Sequence, residues 1–197
     1  MIVIRDAAPA DIGAITEITN ALIATTTYEW TSTPHTAADR LEWLDRHRPD
    51  GHPVLVAIDT DPPVSTDPPG PSGTDVLGTD VVTDDTDDTD VDQIVGWAGY
   101  GDFRDTVKWP GYRPVVEHTI HVRQGCWGRG IGRQLMDALA ERARAADKRA
   151  MVGAIDGENV DSVEFHRRLG FVEVGRLPGI GEKFGRPLDL VLVQLDL

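Results

Sequence analysis

Residues 122–139, with the sequence VRQGCWGRGIGRQLMDAL, form the pattern in this chain that is best suited to chemistry. Gly128, Gly130 and Gly132 follow an apolar strand and open a helix whose first acidic residue is Asp137. Glycines let the backbone adopt positive φ and approach a ligand closely. The first N–H groups of a helix lack partners within it, and the helix dipole adds positive charge there. The pattern therefore predicts a cradle for a phosphate or pyrophosphate.

Three arginines near this turn add full positive charge. Arg123, Arg129 and Arg133 carry planar guanidinium groups, which suit phosphate oxygens. A glycine-rich turn alone is a weak signal, and a tight strand-to-helix connection explains the same glycines. Cys126 is the only cysteine, which excludes an intramolecular disulfide and a cysteine-based metal cluster. We expect Cys126 to be there for its small size, and we predict no metal site.

The segments around the turn alternate between strand and helix patterns. Apolar residues recur at helical spacing in two segments, with Ile15 and Leu22 facing inward in the first and Leu41 and Leu44 in the second. The predicted strands are 2–7, 52–58, 93–103, 115–122, 149–155, 171–177 and 188–197. The predicted helices are 11–25, 36–48, a helix from the turn to about 146, and 158–170. This order predicts a single α/β domain over residues 1–197, with a central mixed sheet and helices on both faces.

The negative charge is concentrated in one segment. Residues 59–92 contain eleven aspartates and no Lys, Arg or Glu, in a chain whose formal net charge is −14. This segment has too few apolar side chains to offset the entropy of ordering, so we predict a disordered acidic loop inserted between two strands. A calcium loop is not indicated, because its characteristic glycine and terminal glutamate are missing.

The composition also bears on compartment and partners. Asp exceeds Glu by 24 to 9 and Arg exceeds Lys by 16 to 3, which resembles proteins of halophiles that keep salt in the cytoplasm. The sequence has no apolar run of about 18 residues and no signal-peptide pattern, so we expect a soluble cytoplasmic protein with no membrane partner. The acidic excess, without any basic face, argues against nucleic acid as a partner.

Several motifs in this order resemble one known family. The sequence RGIG at the exit of the fourth strand and NVDSVEFHRRLGF after the fifth are similar to the GCN5-related N-acetyltransferase (GNAT) superfamily. The segments GDFR, GYRPVVEHTIHV and KFGRPLDLVLVQ resemble its phosphinothricin and methionine sulfone or sulfoximine N-acetyltransferase branch. The resemblance covers nearly the whole chain apart from the acidic segment. It implies a homodimer and a twisted sheet of about seven strands, splayed between strands 4 and 5 and flanked by about four helices.

The resemblance also implies the co-substrate, acetyl-CoA, and its contacts. The main chain of Ile120, His121 and Val122 would pair with the pantetheine arm in the gap between the splayed strands. The pyrophosphate would lie on the loop residues Gly128, Arg129, Gly130, Ile131, Gly132 and Arg133. Asn159 would also contact the arm, although helix capping explains this residue as well. Trp127 stands where the family has Gln or Arg, so one polar contact is missing.

Transfer of an acetyl group to an amine requires a neutral amine, and near pH 7 an alkyl amine is mostly protonated. Glu117 lies mid-strand in an apolar run, and the resemblance implies that it is the general base. A structural ion pair, for instance with Arg113, is the alternative. His166 stands where many relatives have a tyrosine proposed as general acid, with a helix-surface or capping role as the alternative. His121 shares the strand face of Glu117 and could shuttle a proton, with packing within the strand as the alternative.

For the acceptor amine, the resemblance implies an aromatic and basic group before the catalytic strand. The matching residues are Phe103, Arg104, Tyr112 and Arg113. Bidentate arginine pairing would favour an amino acid with a second acidic or strongly polar head. We therefore predict N-acetylation of a small amino-acid-like amine. Acetylation of a protein N-terminus or lysine and a non-catalytic CoA-binding regulatory module are the alternatives.

Overall fold

The computed structural model describes residues 1–47, 51–60 and 94–197. Two residues of the predicted acidic segment, Asp59 and Thr60, belong to this part, and Asp59 is the last residue of a strand. The remainder of that prediction, residues 61–92, lies outside the described residues. No helix in the described part is long and apolar enough to cross a membrane.

The described chain forms one seven-stranded sheet flanked by helices. The strands are β1 (Ile2–Asp6), β2 (Val54–Asp59), β3 (Ile94–Asp102), β4 (Val115–Val122), β5 (Ala150–Asp156), β6 (Val172–Lys183) and β7 (Arg186–Asp196). The α-helices of the described part are α1 (Ile12–Thr25), α2 (Ala37–His47), α3 (Ile131–Ala145) and α4 (Val160–Arg168). The strand order is β1-β2-β3-β4-β5-β7-β6, and each pairing is antiparallel except that of β4 with β5. The predicted α/β class and mixed sheet are confirmed.

The parallel pair β4 and β5 separates partway along its length. The last residue pair between them joins Glu117 to Val152. From His118 to Val122, β4 continues along β3 but has no strand partner on its other side within the described chain. The predicted gap between strands 4 and 5 is therefore confirmed, and it begins directly after Glu117.

Two apolar layers hold the helices against the sheet. On one face α3 buries Leu135 and Leu139. On the other face α1 and α2 bury Ile15 and Leu44, close to Trp97 of β3. Full burial of one such side chain stabilises the fold by about 1.5–3 kcal/mol. These layers fix the positions of β4 and α3, which border the gap.

One inward-facing residue of α2 was predicted wrongly. Leu41 is 39% exposed, whereas Leu44 is buried as predicted. Arg40 is buried instead, and its guanidinium carbon lies 5.3 Å and 5.5 Å from the ring centres of Trp43 and Trp97. Cation–π contact allows this arginine to occupy a position that helical spacing assigns to an apolar residue.

Strand β6 is longer than the sequence predicted. The predicted strand ended at Leu177, before Pro178 and Gly179, but the strand continues to Lys183. Its pairing with β7 shifts between Leu177 and Gly181, so a bulge accommodates the proline and the glycine. The extension brings Gly181 and Lys183 close to the segment that follows α1.

Candidate active site

The gap between β4 and β5 opens into a cleft of about 800 Å³. Its walls come from the unpaired part of β4, the end of β5, the starts of α3 and α4, and residues 28–30. Both predicted catalytic residues, Glu117 and His166, line it. Most of the predicted cofactor residues line it as well: Ile120, His121, Val122, Gly128, Gly130, Ile131, Gly132, Arg133 and Asn159. The structure thus brings residues from these five segments to one site.

The glycine-rich turn has the backbone expected of an anion cradle. Gly128 and Gly130 both have φ of 77°, and Gly130 is the residue from which α3 starts. The first helical bond there runs from the Gln134 amide to the Gly130 carbonyl at 3.2 Å. The amides of residues 131–133 make no hydrogen bond within the described chain. They are available to a diphosphate.

Gly132 differs from the other two glycines of the turn. It was expected to adopt positive φ, but it lies inside the first turn of α3 and is not among the positive-φ residues of the described chain. A Cβ at this position would lie 3.2 Å from the ring of Phe165. Gly132 therefore serves close packing of α3 against α4 rather than turn geometry.

The arginines near the turn are engaged with carboxylates. Arg123 donates to a glutamate of α1 at 2.6 Å, and Arg129 donates to the buried Asp59 at 2.5 Å. Arg129 is the one predicted cofactor residue that does not line the cleft. Arg133 pairs with Asp137 at 3.5 Å, and both side chains are about two-thirds exposed. Such an exposed pair contributes only about 0–1 kcal/mol, so Arg133 is free to turn toward a bound anion.

The expected main-chain partners of the pantetheine arm lie along one wall. Ile120, His121 and Val122 are in the part of β4 that has no partner toward β5 within the described chain. The indole N–H of Trp127 donates to the Val122 carbonyl at 2.9 Å. Trp127 thus ties the turn back to β4, a role that its position in the sequence did not indicate.

Glu117 is half-buried at the point where the strands separate. Its carboxylate makes no hydrogen bond or ion pair with the described residues, so the alternative of a structural pair with Arg113 is not observed there. Burial raises the pKa of Glu117, and the positive charge of Arg104 opposes that rise. A carboxylate with a raised pKa that faces a cleft suits proton transfer near neutral pH.

His166 is buried rather than on the helix surface. It is 1% exposed, and its Nδ1–H donates to the Ser162 carbonyl at 2.7 Å. Burial lowers its pKa, and the bond to Ser162 opposes that change. The imidazole is therefore neutral near pH 7, with a lone pair on Nε2. Its role as general acid stays a prediction, and it requires a proton at Nε2 that the neutral form lacks.

Asn159 caps the helix that carries His166. Its Oδ1 accepts a hydrogen bond from the Ser162 amide at 3.1 Å, as expected of a helix-capping residue. The Asn159 side-chain nitrogen makes no hydrogen bond within the described chain. Capping and contact with the cofactor arm are therefore compatible.

The predicted acceptor residues lie outside the cleft. They are Phe103, Arg104, Tyr112 and Arg113, and none of them is among the residues that line it. The Phe103 and Tyr112 ring centres are 5.9 Å apart, and the Arg104 guanidinium lies 4.7 Å from the centre of the Phe103 ring. The charge of Arg104 nevertheless acts on Glu117.

Residues 28–30, which received no role from the sequence, form one wall of the cleft. The buried Lys183 holds them, because its Nζ donates to a carbonyl of α1 at 2.8 Å and to the Glu29 carbonyl at 2.6 Å. Trp30 packs on β6, where a Cβ on Gly181 would come within 2.3 Å of two ring carbons. The only sequence signal for this wall was an aromatic Tyr-Glu-Trp run between two helices.

The side chain of His121 contacts the wall formed by residues 28–30. Its Nε2 lies 2.9 Å from Glu29 Oε1. Burial acts to raise the pKa of Glu29, but the hydrogen bond and charge of His121 outweigh it, so the net shift is downward. No hydrogen bond in the described chain links His121 to Glu117, so the proton shuttle predicted between them has no path there.

Comparison with known proteins agrees with this geometry. Residues 78–171 match the Acetyltransferase (GNAT) family. The chain is 38% identical over 194 residues to an L-methionine sulfoximine/L-methionine sulfone acetyltransferase of Pseudomonas aeruginosa, covering 98% of this chain and 94% of that protein.

Two solved structures that contain acetyl-CoA have the same fold. The yncA structure from Salmonella typhimurium, with its cofactor acetyl-CoA, has a TM-score of 0.80 and 32% identity, covering 100% of this chain and 94% of that one. A phosphinothricin acetyltransferase from Sinorhizobium meliloti, in complex with acetyl-CoA, has a TM-score of 0.80 and 27% identity, covering 100% and 88%.

Two features define the class of protein. The sheet separates between the parallel strands β4 and β5, and the helix that follows β4 begins with an anion cradle. The chain belongs to the GNAT family and is an N-acetyltransferase that uses acetyl-CoA as its co-substrate. The cleft residues fit this group, because the amides of 131–133 suit its diphosphate and the unpaired main chain of β4 suits its arm.

Proposed function

We propose that this chain acetylates the α-amine of a small amino acid of the phosphinothricin, methionine sulfone or methionine sulfoximine type. The observation that carries the proposal is Glu117, which lies half-buried and unpaired among the described residues, where β4 and β5 separate. The names of the relatives from Pseudomonas aeruginosa and Sinorhizobium meliloti support this acceptor class.

Glu117 acts as the general base. It takes a proton from the ammonium group of the acceptor, directly or through a water, and so supplies the neutral amine. Acetyl-CoA, when bound, supplies an acetyl group activated as a thioester. The amides of residues 131–133 and the guanidinium of Arg133 hold its diphosphate, and the main chain of β4 orients its arm.

The walls of the cleft favour a small acceptor. Tyr28 and Trp30 add aromatic surface to the cleft that Glu117 lines, and Lys183 fixes their segment to β6. Phe103 and Arg104, in the loop between β3 and β4, do not line the cleft. Arg104 already acts on the charge of Glu117, which supports a place for the loop near an incoming amino acid.

The test is release of free CoA thiol from acetyl-CoA in the presence of candidate amines. The panel contains phosphinothricin, methionine sulfone, methionine sulfoximine, other amino acids and short peptides. Amine-dependent release with the first three acceptors is the expected result. Release with peptides alone would support a protein N-acetyltransferase instead, and binding without release would indicate a non-catalytic CoA-binding module.

The contact between Trp30 and Gly181 gives a further prediction. Gly181→Ala places a Cβ at a position 2.3 Å from the Trp30 ring, so the ring must leave the cleft wall. We expect KM for the acceptor to rise about tenfold, with KM for acetyl-CoA little changed, since the loss concerns acceptor binding. Steady-state kinetics measures both constants. The control is Gly13→Ala on the exposed side of α1, which meets nothing within 4 Å. Equal acceptor KM values in both variants would show that Trp30 does not bind the acceptor.

We propose that the enzyme is a homodimer formed through β6, the edge strand of the sheet. Exposed apolar side chains lie along it and in the turn after it, including Val174 and Ile180 of β6 and Phe184 of the turn, at 54%, 57% and 58% exposure. An exposed apolar edge strand favours association with another chain. Sedimentation velocity is expected to give the mass of two chains, and Val174→Lys combined with Ile180→Lys is expected to give one. A monomeric wild-type protein at micromolar concentration would contradict the proposal.

We propose that the enzyme works in a cytoplasm of high salt concentration. The excess of Asp over Glu and of Arg over Lys supports this. Amine-dependent thiol release is expected to persist in about 2 M KCl, since charged surfaces stay hydrated under strong screening. Loss of activity above physiological ionic strength, with activity restored on dilution, would contradict it.

A further inference from the structure

A pair of buried histidines lies at the narrow end of the gap. His118 is the first residue of β4 beyond the last β4–β5 pair, and His166 of α4 stacks on it with ring centres 5.0 Å apart. The two residues are 8% and 1% exposed, and both line the cleft. Gly153 leaves room for His118, because a Cβ there would lie 2.7 Å from its Nε2.

Three ring nitrogens of this pair have no hydrogen-bond partner among the described residues. They are Nδ1 and Nε2 of His118 and Nε2 of His166. Buried polar atoms in proteins are almost always paired, so these nitrogens indicate a polar partner in the cleft. His166 already uses its Nδ1–H on the Ser162 carbonyl. The neutral pair therefore offers one free N–H, and it belongs to His118.

The N–H of His118 persists over the whole physiological pH range. Burial, together with the smaller effect of the neighbouring His166, lowers the pKa of His118 to about 3. His166 is the titratable group that packs against it within the described part, while Glu117 precedes it on the opposite strand face. A neutral imidazole donates a hydrogen bond without giving up its proton at neutral pH.

The alternation of β4 places Glu117 and His118 on different sides of the sheet. On the side of Glu117, His121 Nδ1 lies 3.4 Å from the Thr19 hydroxyl of α1. On the side of His118, Val116 packs with the residues of α3, whose start forms the anion cradle. The arm that carries the sulfur is thus expected on the side of His118, and the acceptor amine on the side of Glu117.

We propose that His118 is a further catalytic residue, whose imidazole N–H donates a hydrogen bond to the thioester sulfur as it leaves. The inference rests on the proposed function. The amine nitrogen bonds to the acetyl carbon, the carbon–sulfur bond breaks, and its electron pair goes to sulfur. One ammonium proton goes to Glu117 before the attack, and the second proton that the nitrogen loses, once it has bonded to the acetyl carbon, goes to solvent water. His118 keeps its own proton while it stabilises the thiolate.

The kinetic test compares two replacements of this imidazole. His118→Phe keeps an aromatic ring against His166 but removes the donor, and kcat is expected to fall about tenfold or more, with KM for acetyl-CoA within about twofold. His118→Gln restores an N–H donor and is expected to recover a large part of kcat. The control is His52→Gln, outside the cleft, with kcat within about twofold of wild type. Circular dichroism confirms that each variant is folded.

A second readout does not depend on turnover. Ultraviolet absorbance follows formation of the thiolate when enzyme-bound CoA is titrated with base. A hydrogen bond from His118 stabilises the thiolate, so in wild type it is expected to form about one pH unit lower than in His118→Phe. A purely structural role for His118 would leave this titration unchanged.

The outcomes separate this inference from the proposed function. If wild type releases no thiol with any amine, both fail. If wild type is active but folded His118→Phe keeps its kcat, the inference alone is overturned. Identical kcat values for the Phe and Gln variants, or identical thiolate titrations in wild type and His118→Phe, would also overturn it.

Discussion

Glu117→Gln is expected to lower kcat by about 10²- to 10⁴-fold at neutral pH, the usual contribution of a positioned general base. Glutamine keeps the size of the side chain but cannot take the proton of the ammonium group. KM for acetyl-CoA is expected to stay near its wild-type value, because the cofactor contacts lie along β4 and the start of α3. Amine-dependent thiol release measures both constants.

The pH profile adds a second test of the same residue. Burial raises the pKa of Glu117 above its ordinary value of 4.5, so the active carboxylate is lost at a higher pH than in an exposed glutamate. The wild-type rate is expected to rise with pH through that raised pKa and then level off. If Glu117→Gln kept near wild-type turnover at every pH, Glu117 would not be the general base.

Although Glu117→Gln is expected to lose activity, it is expected to keep or gain thermal stability. A group whose pKa is raised by folding binds more protons in the native state than in the unfolded state. The stability that its protonated form contributes is therefore lost as pH rises through the folded-state pKa. At neutral pH the half-buried carboxylate of Glu117 therefore destabilises the fold. Glu117→Gln is expected to melt at or above the wild-type temperature, and Glu42→Gln on the surface of α2 is the control. A lower melting temperature for Glu117→Gln alone would mean that Glu117 is a structural residue.

Gly130→Ala is expected to weaken acetyl-CoA binding about tenfold, since a Cβ at positive φ costs roughly 1–2 kcal/mol. Gly130 has φ of 77° and sets the direction of the free amides at 131–133. To escape the strain, the turn must rotate these amides away from the diphosphate. Calorimetric titration with acetyl-CoA measures the dissociation constant.

The matched control is again Gly13→Ala, at a glycine without positive φ. It is expected to bind acetyl-CoA like wild type. If Gly130→Ala bound as tightly as this control while remaining folded, the amides after Gly130 would not be the diphosphate site.

Features of the site that depend on nearby sequence were predicted well. The strand, the glycine-rich turn and α3 are continuous in sequence, so hydrophobic periodicity and glycine spacing located the cradle. Alternation along β4 likewise placed Glu117 and His121 on one face. These patterns depend on backbone geometry, which a few neighbouring residues determine.

Features that depend on distant partners were not predictable. Arg129 was assigned to the cofactor, but Asp59, 70 residues away, holds its guanidinium. The wall at residues 28–30 depends on Lys183, 154 residues beyond Glu29. The acceptor group at 103–113 matched the family by motif, yet its side chains contact one another outside the cleft. Single-chain patterns carry no information about which distant side chains meet.

The central claim is that the amides of residues 131–133 bind the diphosphate of acetyl-CoA and thereby place its thioester beside Glu117. Calorimetric titration of the folded enzyme with acetyl-CoA, and in parallel with S-acetylpantetheine, tests this most directly. We expect acetyl-CoA to bind with a dissociation constant below about 1 mM, and S-acetylpantetheine, which lacks the diphosphate, at least about tenfold more weakly. Equal affinities, or no heat of binding with millimolar acetyl-CoA, would contradict the account.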